Sequence, residues 1–408
     1  MDAESPKRWS ITQRQSFRFF SVYFILYMYG MYIDELWDPL VLKAGQWLHI
    51  WKEITVTPNG SGDTTYNYLQ VLCMLVMAVI ISTVWGILDR KRQSYNTAQY
   101  WVMAMLRYAL AYQMLTYGSF KIIKLQFPDP SFTKLIEPYG DSSPMGLAWT
   151  FMGYSKAFNL FTGWAEAIGG ILLLFRRTTM FGCLFSMTVL TNVVAMNFCY
   201  DIPVKLFSTH LLFVAVYICS PYFPILINFF VKHKPITDYP RMSVYRTRKQ
   251  NIAHVIIKLL ILVTLGYRII ADTIDTMEYS KQPVTLSGLY EADTFITDAD
   301  TLQPLITDTV RWRYFNIEWE GYAQVVYMNG SKGRFETNTD TAKHTITLIT
   351  RDNDSTRYSY SQPDTAHLDF EGIYNGVHVK MFMHRKSKEE FNLMKTGFNW
   401  INEYPNNR

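Results

Sequence analysis

The sequence has 408 residues, 49% hydrophobic and 18% charged, with a formal net charge of +5. A mean hydropathy of −0.01 averages two unlike parts: apolar runs long enough to cross a bilayer recur before about residue 275, and the rest is polar. The cations flank the apolar runs, as membrane topology alone requires, so the positive charge gives no reason to invoke nucleic acid.

Cys73, Cys183, Cys199 and Cys219 lie within or at the end of apolar runs, without paired-cysteine or zinc spacing, and read as small buried hydrophobes. The first apolar stretch, Phe17 to Ile33, follows Lys7, Arg8, Arg14 and Arg18. It is long, aromatic and lacks a small-residue cleavage site, so it reads as an uncleaved first span. A second span, Tyr68 to Leu88, ends in Asp89-Arg90-Lys91-Arg92. Between them, Trp37 to Val56 mixes Trp and Leu with Lys43 and Lys52 like a helix lying at the interface, and Asn59-Gly60-Ser61-Gly62-Asp63 turns the chain back. Further spans are expected over Tyr100 to Phe120, Ser155 to Phe175, Thr178 to Phe198, Pro203 to Ile218 and Ile252 to Ala271. Ser220-Pro221-Tyr222-Phe223-Pro224 must kink, end or turn the sixth.

With the N-terminus inside, Arg90 to Arg92, Arg176-Arg177 and the basic stretch Lys232 to Lys249 all fall on the cytoplasmic side. An odd number of spans then places the C-terminal domain outside. From Pro283 the pattern becomes β-rich: Trp312 to Trp319, Tyr322 to Met328, His344 to Thr350, Arg357 to Tyr360, His367 to Phe370 and Val377 to Arg385 read as strands. Asn329-Gly330, Asp352-Asn353-Asp354 and Asn375-Gly376 read as their turns. The expected fold is a polytopic α-helical membrane protein of about seven spans with a C-terminal antiparallel β-sheet or small barrel. Its expected parts are residues 1–98 (two spans and an external interfacial segment), 99–230 (a helical core), 231–280 (a basic segment and the last span) and 281–408 (the β-domain).

Ionisable residues at hydrocarbon depth are costly and point to function. Glu166 lies roughly 14–15 Å from the inner surface and Arg107 roughly 10–11 Å, at the helical rise of 1.5 Å per residue. The similar depths predict that Arg107 faces Glu166, either as a structural ion pair or with Glu166 handling a proton. Gln113, Tyr117 and Lys121 share one helix face, as do Ser155, Asn159 and Glu166 on the next span. Asn192 and Asn197 belong to the fifth span, Asp201 and Lys205 to its outer end, and His210 to the sixth. These groups either satisfy one another at a helix junction or line an outward-facing pocket. The pocket would hold an amine at Lys121 or Lys205, a titratable His210 and a carboxylate at Asp201, suited to an anionic or quinone-like ligand. Gly140-Asp141-Ser142-Ser143-Pro144 would be its rim, although plain turn formation explains those residues equally well. The chain has no HExxH, GxSxG, P-loop or dinucleotide fingerprint, and His378 and His384 on one strand read as a solvated or core face, so no metal site is expected.

Gly163-Trp164-Ala165-Glu166-Ala167-Ile168-Gly169-Gly170, then Leu172-Leu173-Leu174 and Arg176-Arg177-Thr178 before a following apolar helix, resemble the DoxX-like membrane core. That four-helix unit is related to the membrane part of vitamin K-dependent carboxylase-like proteins, and the resemblance spans Tyr100 to Pro224. It implies a bacterial inner-membrane subunit, sometimes of a thiosulfate:quinone oxidoreductase or of oxidative-stress complexes; the β-domain lies outside the resemblance, and the charge topology places it in the periplasm. Three functions follow as expectations. The first is a quinone-linked oxidoreductase subunit with Lys121, Glu166, Asp201, Lys205 and His210 in catalytic roles and Arg107, Gln113, Tyr117, Asn159, Asn192 and Asn197 binding the cofactor. The second is a carboxylase-like enzyme with a lysine base at Lys121 or Lys205. The third is a non-catalytic scaffold or small-molecule transporter whose β-domain binds a protein partner.

Overall fold

A computed structural model describes residues 8–31, 33–50, 60–235, 247–282, 284–298, 300–374 and 376–405. Lys7, Asn59, Pro283, Asn375, residues 51–56 of the interfacial segment and residues 236–246 of the basic stretch lie outside the described residues. The helices are α1 (Ile11–Ile25), α2 (Asp34–Trp47), α3 (Thr65–Leu88), α4 (Asn96–Ile122), α5 (Phe132–Leu135), α6 (Pro144–Tyr154), α7 (Lys156–Leu174), α8 (Thr179–Cys199), α9 (Lys205–Cys219), α10 (Phe223–Leu226), α11 (Arg248–Ser280) and α12 (Asn392–Lys395). The strands are β1 (Gly288–Thr297), β2 (Asp300–Thr301), β3 (Trp312–Trp319), β4 (Tyr322–Tyr327), β5 (Lys332–Asp340), β6 (Thr345–Ile349), β7 (Ser355–Ser361), β8 (His367–Tyr374) and β9 (Val377–Lys386). Two compact units result, one from residues 1–126 and 157–276, the other from 127–156 and 277–408.

Five helices of the first unit are long and apolar enough to cross a membrane: Thr65–Leu88, Lys156–Leu174, Arg176–Cys199, Lys205–Val231 and Arg248–Ser280. α1 and α4 are helical where spans one and three are expected, yet length or polar content, including Arg14, Arg18, Arg107 and Lys121, keeps them outside that set. Capping boxes start α1 at Ser10 with Gln13 and α3 at Thr64 with Asn67. Pro221 and Pro224 do not end the sixth helix. They occupy the first positions of a 3-10 turn (Ser220–Tyr222) and of α10, where a missing N–H is tolerated, and a π turn (Ile227–Val231) completes the run. α2 does more than anchor at an interface: Trp37 and Val41 are fully buried, and Trp37 Nε1 donates to the Gly30 carbonyl at 2.6 Å.

The two ends of α3 define the two ends of this unit. Beyond its C-terminus, Trp9 N donates to Gln93 O at 3.0 Å and Arg14 Nη1 to Arg92 O at 2.6 Å. Before its N-terminus, Gly62 N donates to Pro203 O at 2.8 Å, and the Asp63 carboxylate accepts from Lys205 N and Leu206 N at 2.8 and 2.9 Å. Asp63 thus caps α9 from another segment, placing an anion at the positive end of the helix dipole.

In the second unit, β1 and β3 to β9 pair antiparallel in chain order, and β9 closes on β1 to form an eight-stranded up-and-down barrel. β2 is a two-residue annex to β1. Closure removes the edges that an open sheet would expose. Trp312, Phe315, Tyr358, Phe370, Phe295 and Met381 fill the interior. Asn329-Gly330 forms the expected β4–β5 turn, with Gly330 at φ +85°, a conformation that favours glycine. Residues 127–156, drawn with the helical core in the sequence reading, pack with the strands. The Glu318 carboxylate accepts from the Phe132 and Thr133 amides at the start of α5, and Thr133 Oγ1 joins it at 2.8 Å.

Candidate functional site

α4 and α7 approach each other closely at their small residues. Gly118 faces Gly163 and Ala167, and Gly170 faces Ala111. A Cβ at Gly118 would lie 2.8 Å from Gly163 O, one at Gly163 2.9 Å from Gly118 O, and one at Gly170 3.0 Å from Ala111 O. Small residues at this spacing bring two backbones into contact, the arrangement by which helices associate in lipid. Lys121 lies one turn beyond Gly118 and Glu166 one turn beyond Gly163, so the crossing carries the two side chains to each other.

Lys121 Nζ and Glu166 Oε1 form a hydrogen-bonded ion pair, both residues nine-tenths or more buried. Glu166 Oε2 is also buried and has no hydrogen-bond partner among the described residues. This corrects the expected Arg107–Glu166 pairing. Arg107 instead donates from Nη1 to Thr179 Oγ1 at 3.0 Å and stacks on Tyr108, its guanidinium 4.9 Å from the ring centre. Position along the helix singled out the wrong cation because Lys121, in the last turn of α4, is the one that lies on the face meeting α7.

The remaining predicted residues separate into local clusters. Lys205 Nζ pairs with Asp201 Oδ1 at 2.7 Å and lies 3.8 Å from Asp63. His210 Nδ1 lies 2.6 Å from the Leu206 carbonyl, which can only accept, so Nδ1 carries a proton; Nε2 faces Tyr23 Oη at 2.6 Å, and Tyr27 stacks on the ring at 3.9 Å. Asn197 Nδ2 donates to Ser208 Oγ at 2.9 Å. Asn159 is buried on α7, Gln113 and Tyr117 are half-buried on α4, and Asn192 is exposed on α8. These positions thus divide between the Lys121–Glu166 pair, the His210–Tyr23 pair and the Asp201–Lys205–Asp63 corner. Tyr23, Tyr27, Thr179 and Asp63 escaped the sequence reading, since an aromatic, a threonine and a loop aspartate carry no spacing signal. The glycine spacing before Lys121 and around Glu166 was the one signal that could have placed the pair.

Among the described residues no group of three or more His, Cys, Asp or Glu is arranged to hold a metal ion. His378 and His384 lie on β9 beside Glu371 (3.3 Å) and Asp293 (2.9 Å), outside the barrel core. Cys183 and Cys219 are buried in the helical core and Cys199 is exposed.

Comparison with known proteins adds one relationship. A stretch of 111 residues is 36% identical to the Bacillus subtilis (strain 168) protein described as "Uncharacterized protein YwoB", covering 27% of this chain and 70% of that one. The chain belongs to the YwoB family. The name of this relative assigns no activity. No family model and no solved structure matches the chain.

Proposed function

We propose that this chain is a proton-exchanging multi-pass membrane protein, with Lys121 and Glu166 as the exchanging pair. The observation that supports this reading is the unpartnered Oε2 of a buried carboxylate whose other oxygen holds a buried amine. A pair serving only to fix helix register has reason to satisfy every acceptor. In a low-dielectric crossing, the ionised pair and the neutral amine–carboxylic acid pair carry the same net charge, so a proton can pass from Nζ to the carboxylate without creating a bare ion. The neutral amine is then a base, the role anticipated for Lys121 in the carboxylase-like expectation.

The proposal uses only the Lys121–Glu166 pair at the α4–α7 crossing and contains no quinone step. The same reading takes α1 and α4 as further spans, giving about seven, with the N-terminus cytoplasmic and the β-barrel outside. Arg14 and Arg92 at one end of the helical unit, against a single Lys205 paired with Asp63 and Asp201 at the corner described at the other, support that orientation.

The test is potentiometric. Protein reconstituted in vesicles takes up protons on an acid step, one of them at the Glu166 carboxylate while Lys121 keeps its own, and Lys121→Met/Glu166→Leu, which removes both charges together, takes up one fewer while assembling normally. Equal uptake by the double variant would leave the pair a structural device and favour the scaffold reading.

A further inference from the structure

A second feature of the helical unit lies apart from the Lys121–Glu166 crossing. A cavity of about 160 Å³ opens between α4, the α7–α8 turn, the end of α9 and α11, and three cations line it: Arg107, Arg176 and Lys258. No carboxylate lines it, and among the described residues none of the three cations has a carboxylate within ion-pair distance. Arg107 is nine-tenths buried and spends one N–H on Thr179, while its buried Nε has no partner among the described residues. Lys258 and Arg107 line the same cleft. Arg176 stacks over Tyr100 at 5.3 Å, and Lys258 over Phe175 at 5.0 Å.

We propose that this cleft binds the phosphate-bearing headgroup of an anionic phospholipid. Cations gathered without a counter-charge at the edge of an apolar helix bundle are held together most favourably by an anion that arrives from outside. The planar Arg107 group offers Nε and its remaining N–H groups to phosphate oxygens, and Arg176 and Lys258 supply charge from the rim. The other walls favour a lipid over a free ion. Trp101, Ile257 and Ile261 line the cleft, and Trp101 and Ile257 are also exposed on the outer surface of their helices, a continuous apolar path for acyl chains. The cleft also lies at the basic end of the unit, beside the first turns of α4, where a cytoplasmic leaflet rich in anionic lipid would meet it.

The test uses the full chain in a neutral detergent, with native mass spectrometry during titration by phosphatidylglycerol or by phosphatidylcholine. Arg176→Gln/Lys258→Gln leaves the buried Arg107 in place and should preserve the fold, whereas Arg90→Gln removes a cation outside the cleft. Wild type and Arg90→Gln are expected to retain phosphatidylglycerol in preference to phosphatidylcholine. The double variant should bind it about thirtyfold more weakly, the weight of two basic side chains near an anionic headgroup. Equal retention of the two lipids by wild type, or undiminished phosphatidylglycerol binding in the double variant, would overturn the proposal. So would thermal stabilisation by inorganic phosphate equal to that by phosphatidylglycerol, since the site would then belong to a free anion.

Discussion

Lys121 and Glu166 are held as a pair, so removing one is more damaging than removing both. Lys121→Met leaves a buried carboxylate without its counter-charge and is expected to cost about 3–5 kcal/mol, read as a lowered unfolding temperature in detergent. Lys121→Met/Glu166→Leu should restore most of that loss; a double variant no more stable than the single one would contradict a shared ion pair. A second residue-level effect lies on the barrel surface. The Asp364 carboxylate, hydrogen-bonded to His367 Nδ1 at 2.9 Å, holds the imidazole pKa above its ordinary 6.5, and the same contact holds the Asp364 carboxyl low. The favourable interaction is therefore lost as pH rises through the folded pKa of His367, and lost again as pH falls through that of Asp364. Both groups are fully exposed, so solvent screens the pair and its signature is titration rather than stability. By NMR, His367 should titrate above 6.5, and Asp364→Asn should bring it down.

At the scale of elements, the α4–α7 crossing depends on the absence of side chains. Gly163→Val would drive its Cβ to within 2.9 Å of Gly118 O and of Ile122 N. Such overpacking is expected to cost about 1–3 kcal/mol and to part Lys121 from Glu166, so a cysteine cross-link engineered between the helices should form more slowly in the variant. An unchanged rate would contradict the tight crossing. Strong periodic signals made many elements legible in the sequence. β3 was read over its full length, and β4, β6, β7, β8 and β9 were placed within a few residues of their ends, because apolar alternation marks a half-buried strand. β5 was missed because Lys332–Asp340 carries one large apolar residue, Phe335, and is a strand through its pairing with β4 and β6. β1 was missed because a bulge between Ala292 and Thr294 breaks its alternation. Lys121 and Glu166 were both singled out in the sequence but not as partners, since depth along a helix fixes height and not the direction a side chain faces.

At the scale of the whole molecule, the chain leaves the helical unit after α4, contributes residues 127–156 to the barrel unit, returns for α7 to α11, and then builds the strands. The barrel unit is therefore discontinuous. Glu318 and Asn316 on β3 find partners at Phe132 and Thr133, far earlier in the chain. That link was invisible in sequence because a loop of Gly, Pro and Ser between apolar helices reads as their connection. The five apolar helices and the closed barrel account for most of the chain, and the buried amine–carboxylate pair is the feature from which a function is inferred. Infrared difference spectroscopy of the protein in vesicles, stepped from alkaline to acidic pH, tests that inference most directly. The account predicts the carbonyl stretch of a protonated carboxylic acid that is present in wild type and absent in Glu166→Gln. A spectrum in which Glu166 stays a carboxylate throughout, or a band that survives in Glu166→Gln, would contradict it.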